Sequence, residues 1–394
     1  MPGIRIIGES VACESTVLPE IEEGVAAVMK EVVDALTRPL TAEEKSPKQQ
    51  TGKTPRVAFK GTLQEVNHFF YRKGWGDGLA IIPPTEEAVA EMLKGTDLPP
   101  DHIVAEIIPR KGKATVEKIA INAVMAGALP VHMPVLIATV QALSDPKTRF
   151  DTFEVSTGSW APFLAINGPI RKDIHVNCSS GSLSPGNIAN AAIGRAVGLI
   201  VKNIGGARKA IEDMGVIGNP GKYSLVIGED EEQSPWKPLS VERGFTKEDN
   251  TVTVFFPNTF IQTVPGGTDA KGILDTLVNA GTKSMSSVIL IPSWAKVLSD
   301  AGYTKQDVKD YIATHSKIGS SLAALTNTEA PAKMDTENLM ILVAGGPGSF
   351  IGLLRSVGPE FFENGLVTKK IELPKNWDKL VSKYKTLQPN YELY

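Results

Sequence analysis

The sequence predicts an α/β protein of mixed, layered sheets with flanking helices and an N-terminal helical appendage. Three observations predict it. After Val264, apolar β-branched runs alternate with helical segments at the spacing of strand–helix units. Helix start signals recur upstream: Thr62 with Glu65 three positions on is a capping box, and Thr85 precedes Glu86 and Glu87. The 394 residues are 42% hydrophobic and 22% charged, the composition of a chain that packs a core.

The elements follow in order. Arg5–Ile7 fits a short strand, and Glu20–Leu36 carries Ile21, Val25, Val28, Met29, Val32, Val33 and Leu36 on one side of a helix. From Arg38 to Pro55 the chain turns polar and proline-rich, the composition of a linker, so residues 1–55 form the appendage. A main domain spans 56–248, and a C-terminal α/β half, either a second domain or the rest of the same one, spans 249–394. The predicted helices are Thr62–Lys73, Thr85–Leu93, a pair within Thr115–Leu143, Asn187–Ile204, Asp269–Asn279, Trp294–Ser299 and Lys305–Thr314, with a short helix start at Phe350–Leu354. The predicted strands are Ile103–Ile108, Phe153–Val155, Phe163–Ile166, Ile174–Val176, Ser224–Ile227, Thr251–Phe256, Phe260–Val264, Ser287–Ile291, Leu339–Val343 and Val367–Leu373. No repeat of fixed period is visible.

Several classes are disfavoured. Net charge is −3 and no run of Lys and Arg grips phosphates in series, so nucleic acid is not an expected partner. The apolar Ile119–Leu143 stretch contains Gly127, Pro130 and Pro134, which suit two buried helices rather than a membrane span. Cys13 and Cys178 stand far apart in neither a redox nor a metal spacing, which points to a reducing, cytoplasmic setting. The N-terminus shows no signal-peptide pattern. Five histidines, His68, His102, His132, His175 and His315, form no ligand pair, so no metal or cofactor is assigned. His132, at a proline-rich apolar junction, stands out among them.

The densest polar chemistry runs from Asn177 to Arg195, after a strand and into a helix. The first amides of a helix have no internal acceptors and face the positive end of its dipole, so they can hold an anion. Ser179, Asn187 and Asn190 stand there, and Arg195 could meet a carboxylate bidentately. The plainer alternative is a polar loop in which Ser184 or Asn187 is an ordinary helix cap. Cys178 is either a nucleophile activated by the helix start or a small buried residue. Gly345-Gly346-Pro347-Gly348 follows an apolar strand and fits neither a dinucleotide fingerprint nor a P-loop, but suits a loop beside a ligand, with Gly346 and Gly348 close to it.

Further motifs carry a resemblance. These are Trp75-Gly76-Asp77-Gly78-Leu79, Ala114-Thr115-Val116-Glu117-Lys118 with Ala120-Ile121-Asn122, Ile166-Asn167-Gly168-Pro169, Pro185-Gly186-Asn187 through Arg195, Gly221-Lys222-Tyr223-Ser224 and Val241-Glu242-Arg243-Gly244-Phe245. As a set, from about Thr62 to the C-terminus, the chain resembles the large domain of the UGSC (seleno)protein family. It lacks that family's U/C-Gly-Ser-Cys redox segment. The resemblance implies a metabolic enzyme domain, with Asp77, Glu117, Lys118, Asn122, Asn167, Asn187, Asn190, Arg195, Lys222 and Arg243 as site candidates. The expected function is acid–base chemistry of lyase or hydrolase type on a small carboxylate, with Glu117 or Asp77 as acid–base. One alternative is an oxidoreductase component working with a separate thiol or selenol partner. Another is a non-catalytic assembly subunit, its Ile119–Leu143 segment buried in a homo-oligomer interface.

Overall fold

The computed structural model describes residues 5, 7, 8, 10, 11, 17–46, 55–280, 285–315, 336–356 and 365–387. Their contacts divide the chain between Lys60 and Gly61. No division falls near Glu248.

In the first unit, Leu18–Thr37 is one helix, entered through Pro19 in its first turn. Gly24 is buried where Ser10 and Val11 cross it, too close for a side chain. Val25, Met29, Val33 and Leu36 remain exposed. The stretch expected to be linker holds a helical turn, Ala42–Lys45, closed by a Thr41–Glu44 capping box. Arg5 and Arg38 both reach Glu44, at 3.0 and 2.9 Å. Cys13 lies outside the described residues, as does part of Arg5–Ile7.

Among the described residues the second unit contains ten strands: β1 Ile103–Ile107, β2 Gly112–Thr115, β3 Phe163–Asn167, β4 Val226–Gly228, β5 Thr251–Phe255, β6 Thr259–Thr263, β7 Met285–Leu290, β8 Met340–Val343, β9 Ile351–Arg355 and β10 Val367–Lys370. β1 and β2 form a hairpin. The others form two four-stranded sheets, ordered β10-β5-β3-β4 and β6-β9-β7-β8. Each sheet has the same plan. A strand (β3 or β7) pairs in parallel with the next in sequence (β4 or β8), and antiparallel on its other side with the one after (β5 or β9). The outer strands are exchanged. β6 follows β5 but pairs with β9, and β10 follows β9 but pairs with β5. The duplication is one of topology, which is why no period shows in the sequence.

Residue alternation along the strands builds four layers. Leu164, Ile166, Val252 and Val254 face the helices Val116–Ala126, Met133–Leu143 and Ile188–Ile200. Phe163, Ala165, Ile227 and Phe255 face Ile289, Met340, Leu342 and Leu354 of the other sheet. Val288, Leu290, Ile341, Val343 and Leu353 pack on the helices Ala270–Ala280, Pro292–Asp300 and Lys305–His315. Strands buried on both faces read as continuous apolar runs rather than alternating ones.

That ambiguity explains one difference from expectation. Of Phe350–Leu354, expected to start a helix, all but Phe350 belongs to β9, which runs Ile351–Arg355. Two expected strands are absent. Phe153 ends a helical turn, Phe150–Phe153, and stacks on Phe256, while His175 takes φ 56°, which breaks the extended path of Ile174–Val176. The apolar stretch forms two helices, broken at left-handed Gly127 and Pro130, as expected. Both lie in the chain's own core, so their apolar surface is not available to a subunit interface. Among the described residues no helix is long and apolar enough to cross a membrane.

Candidate functional site

The parallel strands β4 and β8 end side by side. The Asp230 amide donates to the Val343 carbonyl at 2.7 Å, and the Gly345 amide to the Cys178 carbonyl at 2.8 Å. Ligands of α/β sheets gather at carboxyl ends of strands, where loops rather than ladders finish the backbone. Two segments that the sequence singled out separately meet here.

The first is the serine turn, Asn177 to Ser184. Asn177 accepts from the Ser179 amide and donates to the Ser180 carbonyl, both at 2.9 Å. Asn190 is buried beneath it, accepting from the Asn177 amide at 2.8 Å and donating to the carbonyls of Asn177, Ser182 and Val226. The second segment is Ala344 to Phe350. Gly346 lies so close to Ser180 that no Cβ fits between them. Gly345 takes φ 104°, a conformation that favours glycine.

Between these segments lies a cleft of about 380 Å³. Ile227, Ile289 and Ile291 floor it, Phe260 and Gln262 of β6 wall it, and every lining residue is uncharged. The amides of Gly346, Gly348 and Ser349 have no acceptor among the described residues. Such amides can bind an anion or any acceptor-rich group. Ser182–Ser184 also border a neighbouring hollow of about 340 Å³, lined by Leu79, Pro185, Arg195 and Tyr223.

Behind the cleft wall is a buried ion network. Asn167 donates to Glu229 at 2.7 Å and to Glu231 at 3.0 Å. Glu229 also accepts from the Leu239 amide and from Lys305, and Lys305 reaches Glu242 at 2.9 Å. Arg171 pairs with Glu231 and Glu232 at 3.1 and 3.2 Å. Burial on this scale requires such mutual satisfaction, since an uncompensated charge costs several kcal/mol here. Most polar capacity is spent on the network itself. Cys178 sits beside it. Burial pushes its thiol above the ordinary value, Asp230 adds to this, and Arg171 only partly opposes it. Of the two readings of Cys178, these surroundings favour the small, half-buried thiol over the activated nucleophile.

The other expected residues distribute as follows. Arg195 and Asp77, expected as carboxylate holder and acid–base, are paired with each other at 2.7 and 3.0 Å, and Arg195 also donates to the Ala80 carbonyl. Arg195 therefore anchors the Trp75–Ala80 loop while still bordering the neighbouring hollow. Asn190 is a clamp for the serine turn, and Asn122 joins Asn203 and the Lys118 carbonyl in a helix-to-helix link. Glu117 and exposed Lys118 begin the Val116–Ala126 helix, outside the cleft lining, with Lys118 Nζ on the Lys113 carbonyl. Lys222 pairs with Asp213 at 2.7 Å, and Arg243 donates to the Leu366 carbonyl at 2.7 Å, so neither faces the cleft. Ser179 is exposed on the turn, while Gly346 and Gly348 line the cleft. Asn187 precedes the Ile188–Ile200 helix without capping it, and opens onto a different cavity. Sequence reading missed Gln262 and Phe260. Their signal was the strand alternation of β6, whose partner sheet could not be known.

No family model, no curated protein and no solved structure matches this chain. Among the described residues no three His, Cys, Asp or Glu side chains are grouped to hold a metal ion.

Proposed function

We propose that the chain is an enzyme of small-molecule metabolism whose substrate lies in the cleft between the serine turn and the glycine-rich loop. A carboxylate or similar acceptor-rich head would rest on the amides of Gly346, Gly348 and Ser349, and its apolar remainder on Ile227, Phe260 and Ile289. The supporting observation is the convergence of the two segments on one cleft of about 380 Å³, with amides that have no acceptor among the described residues. The chemistry we propose is acid–base, of lyase or hydrolase type, because polar groups gather on turns beside the helix start; the resemblance to the UGSC (seleno)protein family supports only a metabolic enzyme domain. An oxidoreductase reading draws no support from Cys178, whose thiol burial holds protonated.

The test is calorimetric titration of the full chain with a panel of small aliphatic and aromatic carboxylates. Gly348→Ala is the informative variant, because its Cβ meets nothing within 4 Å. We expect at least one carboxylate to bind wild type, and Gly348→Ala to bind it about tenfold more weakly, about 1.4 kcal/mol, with an unchanged melting temperature. A panel with no binder, or equal affinity in both proteins, would reject the reading.

A further inference from the structure

The start of the Ile188–Ile200 helix opens onto a cavity of about 150 Å³, separate from the cleft in its lining. Four features of it are complementary to a small zwitterion. The amides of Ile188 and Ala189 have no acceptor among the described residues, and they belong to a thirteen-residue helix whose dipole presents its positive end here. Asn187, which should cap that helix, makes no side-chain hydrogen bond to it. His132 lines the cavity and is 1% exposed. Its Nδ1 accepts from the Leu129 amide at 3.1 Å, which places the ring hydrogen on Nε2. Nε2 has no partner among the described residues. Nε2 is not among the polar atoms sealed off without a partner, so it opens on the cavity, where a ligand oxygen could accept its hydrogen. Burial lowers the His132 pKa to about 3, so the ring is a neutral donor at any physiological pH.

The fourth feature is a negative charge on the same cavity. Asp173 lines it, with one oxygen held by Trp377 Nε1 at 2.9 Å and the other without a partner among the described residues. A simple anion would meet the helix start but be repelled by Asp173. A simple cation would meet Asp173 but be repelled by the helix start. A molecule bearing both charges satisfies both ends, and the volume of about 150 Å³ has room for one of that size.

From this arrangement we propose a second binding site for a small α-amino acid such as glycine or alanine. Its carboxylate sits on the amides of Ile188 and Ala189, the Asn187 side chain and His132 Nε2–H. Its ammonium sits on Asp173.

The experiment is isothermal titration of the full chain with glycine, acetate and methylammonium at equal ionic strength. Glycine is expected to bind saturably, at least tenfold more tightly than either half-molecule. Asn187→Asp places a carboxylate where the ligand's own would sit, and aspartate is a good helix cap, so this variant keeps its fold while losing glycine affinity by tenfold or more. Asp173→Asn loses affinity for glycine but not for acetate. Gly348→Ala, in the other cleft, leaves glycine binding unchanged, which separates this site from the one proposed above. No saturable glycine binding, acetate displacing bound glycine as effectively as glycine itself does, or full glycine affinity in Asn187→Asp would each overturn the proposal.

Discussion

Side chains that look poised for catalysis in a linear reading are mostly fastened to one another in the folded chain. Arg195 and Asp77 are 118 positions apart, and nothing local announces that they pair. Asn190 shows the same point, since four backbone groups use its amide. One strongly shifted titration belongs to a residue the motifs did not mark. Glu154 is 4% exposed, and burial raises its pKa to about 8, with Lys222 opposing and Asp213 adding to the rise. The unfolded value is near 4.5, so the folded chain retains a proton that the unfolded chain releases between those two values. Stability from this group is therefore greatest at the acid end, falls as pH rises from about 4.5 to about 8, and is level beyond. Glu154→Gln should remove that slope. At pH 8 the variant should be more stable than wild type by on the order of 2 kcal/mol, and at pH 4.5 nearly equal to it. Urea unfolding of both proteins across this range is the check, and parallel pH profiles would contradict the assignment.

At the level of elements, local chemistry was readable where it stayed local. The Thr62–Glu65 capping box is present in both directions, and the helix it opens runs from Leu63 to Arg72. Gly127 and Pro130 broke the long apolar stretch as their backbone preferences dictate. Failure came where tertiary packing decided. β9 is buried on both faces, so its apolar run carried no strand period, and β2 is four residues long. The serine turn and glycine-rich loop were each visible, but their contact was not. That contact can be tested by size. Gly346→Ala forces a methyl group into Ser180, and should cost about 1–3 kcal/mol, the usual penalty for overpacking. Ser180→Gly in the same chain should restore part of the loss, because the nearest clashing atoms are those of the serine side chain. Chemical denaturation of the two single variants and the double variant measures the coupling, and strictly additive costs would rule the contact out.

Across the second unit, the exchanged strands bind the two sheets into one structure. β6 contributes a full ladder to the second sheet and β10 one to the first. A protease site placed between Pro265 and Gly266, after β6 and before the Ala270–Ala280 helix, tests this. Cleavage should leave the two pieces co-eluting in native buffer and separating only in denaturant. Pieces that part without denaturant would show that the exchanged strands add little. The α/β class was legible in composition and alternation. The exchange was not, because strand partners are set by contacts that no single segment encodes.

The same connectivity governs how the cleft admits anything. Its serine turn comes from the first half of the repeat and its glycine-rich loop from the second, while Phe260 and Gln262 sit on β6, which belongs to one half in sequence and the other in pairing. Two lobes joined by a single connection can swing about a hinge. These halves are stitched at both edges, so swinging them apart would tear a ladder on each side. Entry must instead be gated by what lies at the mouth: the Phe260 and Phe350 rings, both exposed, and the short loop from Gly345 to Ser349. A ligand would therefore be met by local yielding of a few residues against a frame that does not open.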